Sequence, residues 1–260
     1  MTAETIVRDT PAPGIAEVRL NRPESLNAVD ESVIDALTSA LRDTARDKDT
    51  RVVILSGEGR AFCAGADYKR HAVRPAAERP EYLRRLLNVC REIYAHPKPV
   101  IAAVHGFAIG MGAEMAINCD FLFMTEDAFV RLPEVSIGSF VGGGVTHILP
   151  RLVGIGRARE MLLMSKSVPA PEAKAIGLAT EVIAGSSFRA GVLAFAKQLA
   201  DQAPVSIRLG KWTLNSSGGA TYDVGFQAEH DAVLTCMGTS DWREGVQAFA
   251  AKRAPKFTGE

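Results

Sequence analysis

Two carboxylates, Glu114 and Glu134, each stand beside glycines that let a backbone turn sharply and come close to a ligand. Glu114 lies in VIAAVHGFAIGMGAEMAINCD. There an apolar run at residues 100–104 reads as a buried strand, Gly106, Gly110 and Gly112 as turn glycines, and residues 113–118 as a helix. The first N–H groups of a helix have no partner within it, and the helix dipole adds positive potential there. A strand, a glycine turn and a helix start therefore make a donor site for a negatively charged oxygen. A carboxylate in that first turn is expected to stay ionised. Glu134 follows an apolar stretch and has glycines rather than bases after it, so burial is expected to raise its pKa. A further turn, Gly65–Ala66–Asp67, lies in GRAFCAGADYKR. The turns at 65–67 and 110–112 could each aim a backbone N–H at one oxygen, and two such donors form an oxyanion hole. Paired carboxylates of different proton affinity are the equipment for moving two protons in one reaction. The plain alternative for the pair is two structural salt bridges.

These groups need elements to hold them. The start of the chain reads as a hairpin, with strands at 5–8 and 16–20, followed by a polar loop whose Asp30 can cap a helix over 31–46. Residues 51–56 read as a buried strand, 71–80 as a polar, proline-containing loop, and 81–95 as an amphipathic helix. Short strands are expected at 121–125 and 128–132, and helices at 145–152, 157–165 and 169–176, with Val182 in a further strand. From residue 187 onward the chain is expected to be mainly helical. Strand–turn–helix units recur, which predicts an α/β protein with a β/α spiral core over residues 1–190 and a helical region over 191–260.

Composition narrows the function. The chain has 260 residues, 47% of them hydrophobic, and equal numbers of basic and acidic side chains. Net neutrality points away from a nucleic-acid or membrane-surface partner. The stretch at 100–120 carries His105, three glycines and Glu114 and has no basic flanks, so it does not read as a membrane span. Cys63, Cys90, Cys119 and Cys236 form no CxxC pair and read as thiols in a reducing compartment. The N-terminal MTAETIVRDT has no apolar h-region, so no signal peptide is expected and the expected location is cytoplasmic. His96, His147 and His230 show no metal spacing, and His105 at a strand end reads as a satisfied structural residue. Gly210–Lys211 is followed by Trp212, so there is no P-loop, and no GxSxG occurs.

GRAFCAGADYK, HGFAIGMGAEMAINCD and LPEVSIGSFVGGG together resemble successive signatures of the crotonase, or enoyl-CoA hydratase/isomerase, superfamily. NRPESLNAVD resembles its early CoA loop, and DWREGVQAFAAKRAPKFTG its C-terminal tail. The resemblance runs through essentially the whole chain in order. It implies a crotonase-type ββα spiral core with a helical C-terminal trimerisation region, assembled as a homotrimer or as a hexamer of two trimers. It implies oxyanion donors at the N–H groups of Ala66 and Met111 and catalytic roles for Glu114 and Glu134. Ala64, Ala66, Asp67, Tyr68 and Lys69 would line the CoA moiety, and Gly142 would lie near the reacting water. Asp67 also reads as a helix cap, and Tyr68 and Lys69 as surface residues. Lys252, Arg253 and Lys256 read as a solvated helix face, or by resemblance as a contact to a CoA phosphate. No cofactor is expected beyond the CoA carried by the substrate.

Retention of both acids favours a hydratase acting on a trans-2-enoyl-CoA, in the setting of fatty-acid β-oxidation. The alternatives are isomerisation, decarboxylation or thioester cleavage of an acyl-CoA, and a non-catalytic CoA- or RNA-binding scaffold. Met111 stands where relatives often carry glycine, which is tolerable unless the position needs a positive φ. Ser139, Phe140 and Val141 also depart from the usual run, and Phe140 becomes a candidate wall of the acyl pocket. Glu24 replaces a basic or small residue near CoA.

Overall fold

The computed structural model describes residues 4–260. The first three residues, part of the stretch that argues against a signal peptide, lie outside the described residues. The chain starts with an antiparallel hairpin, β1 (Ile6–Ala12) and β2 (Ile15–Leu20). Next comes α1 (Glu31–Arg46), whose N-cap Asp30 accepts a hydrogen bond from the Val33 N–H at 3.1 Å. Then follow β3 (Val52–Gly57), α2 (Tyr68–Ala72), α3 (Arg79–Tyr94), β4 (Val100–Val104), β5 (Phe107–Ile109) and α4 (Met111–Asn118). After these come β6 (Phe121–Thr125), β7 (Phe129–Arg131), a 3-10 turn (Glu134–Ile137) and α5 (Val145–Leu163). The chain closes with β8 (Val168–Pro169), α6 (Ala170–Ala175), β9 (Glu181–Ile183), α7 (Phe188–Ala200), α8 (Pro204–Ser217), α9 (Tyr222–Met237) and α10 (Ser240–Ala250).

Among the described residues, a six-stranded sheet runs in the order β1-β2-β3-β4-β6-β9 and is parallel beyond the first hairpin. Its central strands are apolar throughout because both faces are covered. In β4, Val100, Ala102 and Val104 join the core beneath α1, α3 and α4, while Ile101 and Ala103 join a second core under α7. A small second sheet, β5-β7-β8, receives the chain as it leaves the large one. The path repeats: β4 passes to β5 and then α4, and β6 passes to β7 and then α5. One repeat earlier, β3 leads to Cys63, which bridges Ala108 of β5 before the chain enters α2. This is the ββα spiral expected for a crotonase fold. Each repeat ends in a turn between the small sheet and a helix, so the three glycine turns occupy equivalent places in successive repeats and stack side by side.

One expectation changes. Residues 71–80 are not one loop, because α2 reaches Ala72 and α3 already starts at Arg79. The helices expected at 145–152 and 157–165 are the two limbs of α5, which meet at a kink at Gly154, whose φ of 75° lies outside the helical region. Beyond α7, Lys211 of α8 ties the C-terminal helices to the core: its Nζ lies 2.6 Å from Asp120 Oδ2 at the end of α4.

Candidate active site

Glu114 is the fourth residue of α4. Its N–H bonds the Gly110 carbonyl at 2.8 Å, and its carboxylate turns to the next repeat, where Oε1 accepts the Gly142 N–H at 2.8 Å. Only 4% of the residue is exposed. Burial pushes its pKa up to about 7; the Gly142 hydrogen bond opposes the rise and the Glu134 charge adds to it. The expectation that the helix start keeps Glu114 ionised is therefore corrected. Loss of water outweighs the helix dipole here, since the carboxylate meets one loop N–H instead of the open helix end.

Glu134 opens the 3-10 turn and is also 4% exposed. Burial raises its pKa, as the sequence suggests, against a lowering hydrogen bond from its own backbone. Its Oε2 is buried without a protein hydrogen-bond partner among the described residues. Gly110 separates the two acids' turns: a Cβ there would stand 3.0 Å from Glu134 Oε1 and 3.9 Å from the Gly65 Cα. With φ at 54° and Glu134 so close, this position requires glycine.

The two donors lie beside this pair. Val29 donates to the Gly65 carbonyl at 2.8 Å and Asp67 donates to the Val29 carbonyl at 2.9 Å. That parallel-bridge pattern leaves the Ala66 N–H on the other side of the chain. Met111 supplies the first N–H of α4. Neither N–H has a protein acceptor among the described residues. The turns touch, since a Cβ on Gly65 would lie 2.8 Å from the Ile109 carbonyl oxygen and 3.5 Å from the Met111 nitrogen. Met111 is absent from the positive-φ residues, so its side chain costs no strain; that side chain is buried in the main core.

The remaining predicted residues are spread around this centre. Ala64 donates to Leu26 at 3.0 Å, which fixes the glycine turn to the early polar loop. Asp67 immediately precedes α2, while Tyr68 and Lys69 form its exposed first turn. Burial raises the Tyr68 pKa, and the charges of Glu134 and Glu114 raise it further, so the phenol belongs to the same electrostatic site. Phe140 is 63% exposed. His105 Nε2 lies 2.9 Å from the Gly59 carbonyl, in keeping with a structural histidine. Arg253 pairs with Glu244 at 2.6 Å. Sequence reasoning missed three neighbours of Glu114: Leu87, Cys90 and Asn118. Leu87 and Cys90 of α3 press against Gly142 and Gly143, and Asn118 donates to the Gly143 carbonyl. Only Asn118 carried a signal, as a polar residue one helical turn after Glu114 on the same face.

The sequence model of the enoyl-CoA hydratase/isomerase family matches residues 11–260. The chain belongs to that family, within the crotonase superfamily. It is 34% identical over 255 residues to the mitochondrial enoyl-CoA hydratase domain-containing protein 2 of Bos taurus, covering 96% of this chain and 86% of that one. It is 33% identical over 251 residues to the 1,2-epoxyphenylacetyl-CoA isomerase of Escherichia coli K12, covering 95% and 96%. Among solved structures, enoyl-CoA hydratase from Bacillus anthracis superposes with a TM-score of 0.95 at 33% identity, covering 98% of this chain and 100% of that one. This crotonase-family enzyme thus has relatives named for hydration and for isomerisation. The choice between those reactions has to come from the chemistry of the site.

Proposed function

We propose that this chain is an enoyl-CoA hydratase, adding water reversibly and syn across the double bond of a trans-2-enoyl-CoA to give a 3-hydroxyacyl-CoA. The observation that carries the reading is the pairing of two buried carboxyl groups with two unengaged N–H donors on adjoining turns. The Ala66 and Met111 N–H groups accept the thioester oxygen as negative charge builds on it. Removing one such donor in other enzymes costs about 3–4 kcal/mol. Glu114 in its ionised form takes a proton from water as the oxygen attacks C3. Glu134 in its protonated form gives a proton to C2 of the enolate. A proton passing from Glu114 back to Glu134 closes the cycle. With a pKa of about 7, Glu114 is part ionised near neutrality, which suits a base that must also release its proton.

Ala64, Asp67, Tyr68 and Lys69 line the CoA entrance in this reading. No resident cofactor is needed, because CoA arrives with the substrate. The family's acyl-CoA chemistry and the neutral net charge both favour a small-molecule thioester over a nucleic acid or membrane partner. Four free cysteines fit a reducing compartment, and we place the enzyme in the cytoplasm. Isomerisation is the second reading, favoured by the similarity to the Escherichia coli isomerase.

The test is a panel of trans-2-enoyl-CoAs of increasing chain length, followed by loss of the conjugated-thioester absorbance and by product analysis. Hydrated product is expected from the parent enzyme, with Glu114→Gln and Glu134→Gln each lowering kcat by at least about a hundredfold. Products that are shifted alkenes without added water would replace hydration by isomerisation. Full activity in either variant would remove that acid from the mechanism.

A further inference from the structure

Asn118 has no role in the mechanism above, yet it is a polar residue only 4% exposed, at the end of a helix whose one other polar side chain is Glu114. Its Nδ2 makes two hydrogen bonds: 2.9 Å to the carbonyl of Glu114 and 2.8 Å to the carbonyl of Gly143. The first stays within α4. The second crosses to the loop whose preceding residue, Gly142, donates to Glu114 Oε1. One amide group thereby ties the backbone of Glu114 to the residue that follows Gly142, the donor of the single backbone hydrogen bond that opposes the rise in Glu114 proton affinity.

The loop needs such a grip. Gly143 and Gly144 have φ values of 60° and 79°, so neither residue favours the conformation through a side chain of its own. A Cβ at Gly143 would stand 2.6 Å from Cys90 Sγ and 3.3 Å from Glu114 Oε2, so no bulk can be added there to hold the loop by packing. The groups facing the Glu114 carboxylate are the Gly142 N–H, the Cys90 thiol and, at longer range, Glu134 and Tyr68. Among these described groups only the Gly142 N–H favours the ionised form, and Asn118 holds the carbonyl of Gly143, the next residue of the same loop.

We propose that Asn118 is a positioning residue that clasps the Gly142–Gly143 loop to α4 and so sets the proton affinity and aim of Glu114. The proposal rests on the reading of Glu114 as the base. Asn118→Leu keeps the side chain's size and removes both donors. Asn118→Ser keeps a hydroxyl that can bond the Glu114 carbonyl within the helix but is too short to reach Gly143. The second variant separates the clasp from helix stability should the first fold poorly.

Two readouts test this. In the parent protein, the infrared band of the protonated carboxyl that Glu114→Gln abolishes should titrate near pH 7; in both Asn118 variants its midpoint should rise by about half to one unit. The acidic limb of kcat/KM for enoyl-CoA hydration should move up by the same amount, and kcat should fall about tenfold with KM nearly unchanged. A lowered Tm with an unmoved band and an unmoved limb would make Asn118 a structural residue only and overturn the proposal. If the parent turns over no enoyl-CoA while the band still shifts in the variants, the hydratase reading fails and the clasp stands.

Discussion

Glu114 sits on the acid-to-base boundary because burial strips water from a carboxylate that has one loop N–H in exchange. That has a cost in stability, with a definite sign. Its pKa of about 7 lies above the ordinary value of 4.5, so the folded protein binds more protons at this site than the unfolded chain between those limits. Stability from this group is full below pH 4.5 and is lost as pH rises through about 7. At 1.36 kcal/mol per unit, the penalty above pH 8 is of the order of 3 kcal/mol. Glu114→Gln keeps an oxygen for the Gly142 N–H and removes the charge. The variant is expected to melt higher than the parent at pH 8, with the difference closing towards pH 4.5. Equal Tm values across that range would show that Glu114 stays ionised without strain. The acid pair itself was legible in the sequence, since both glutamates stand beside glycine turns. The raised proton affinity of Glu114 was not, because local sequence displays the helix start and hides α3 and the 142–143 loop that exclude water from it. Asn118 was hidden for the same reason: its spacing to Glu114 is visible, but its bond to Gly143 joins residues of different repeats.

At the level of elements, the site depends on how closely α4 lies against the preceding repeat. A Cβ on Gly112 would meet the Cys63 carbonyl oxygen at 2.5 Å and the Cys63 Cβ at 2.7 Å. Cys63 in turn is wedged in place: its thiol donates to the Asn27 carbonyl at 3.1 Å, and its own carbonyl accepts the Ile109 N–H at 3.0 Å. Neither side has room to give, so Gly112→Ala should push α4 away from the 63–66 turn and separate the Ala66 and Met111 N–H groups that we propose as the oxyanion hole. The expected loss is about 1–3 kcal/mol of stability from overpacking. Activity should fall more steeply than stability, because a misplacement of about 1 Å can cost a hundredfold in rate. Thermal melting and kcat measured on the same preparation check this, and a variant with parental kcat would show that the donors do not depend on this contact. Elements such as α1, β4 and β6 were readable because each carries a whole apolar period or a cap. Of the small sheet only β7 was, as the strand expected at 128–132. Its strands β5 and β8 span three residues and two, and they exist through pairings such as Phe107 with Phe129 and Cys63 with Ala108, which no local window contains. α2 was hidden by the proline and charges just beyond it.

At the scale of the whole molecule, the C-terminal helices leave much of their apolar surface uncovered in the single chain. α8 and α9 are helices of 14 and 16 residues, and neither has a buried residue. Their exposed side chains include Leu214 at 76% and Tyr222 at 82%, and Phe249 of the following α10 is 87% exposed. A helix ordinarily buries its apolar side chains, and large apolar groups left exposed on three successive helices point to an association surface. The spiral core does not cover it, although Lys211 and the Tyr94 hydroxyl, 3.0 Å from the Asn215 carbonyl, hold α8 in place. From the resemblance to the crotonase superfamily we propose that the partner is other copies of the same chain, as a trimer or two stacked trimers. Light scattering coupled to size exclusion should therefore give three or six times the 27.8 kDa of the chain. Leu214→Glu combined with Phe249→Glu replaces exposed apolar groups by charges that a solvated surface would accept without penalty. In an assembly whose interface includes them, the pair must be desolvated, and the expected result is smaller species and a lower Tm at the same protein concentration. A parent protein that elutes as a stable monomer would overturn the assembly. A parental oligomer untouched by the double substitution would move the interface away from these two positions. Leu214 lines the same cavity as Asn118, so turnover is read on Phe249→Glu alone, where a fall that tracks dissociation would also tie the site's integrity to the assembled state.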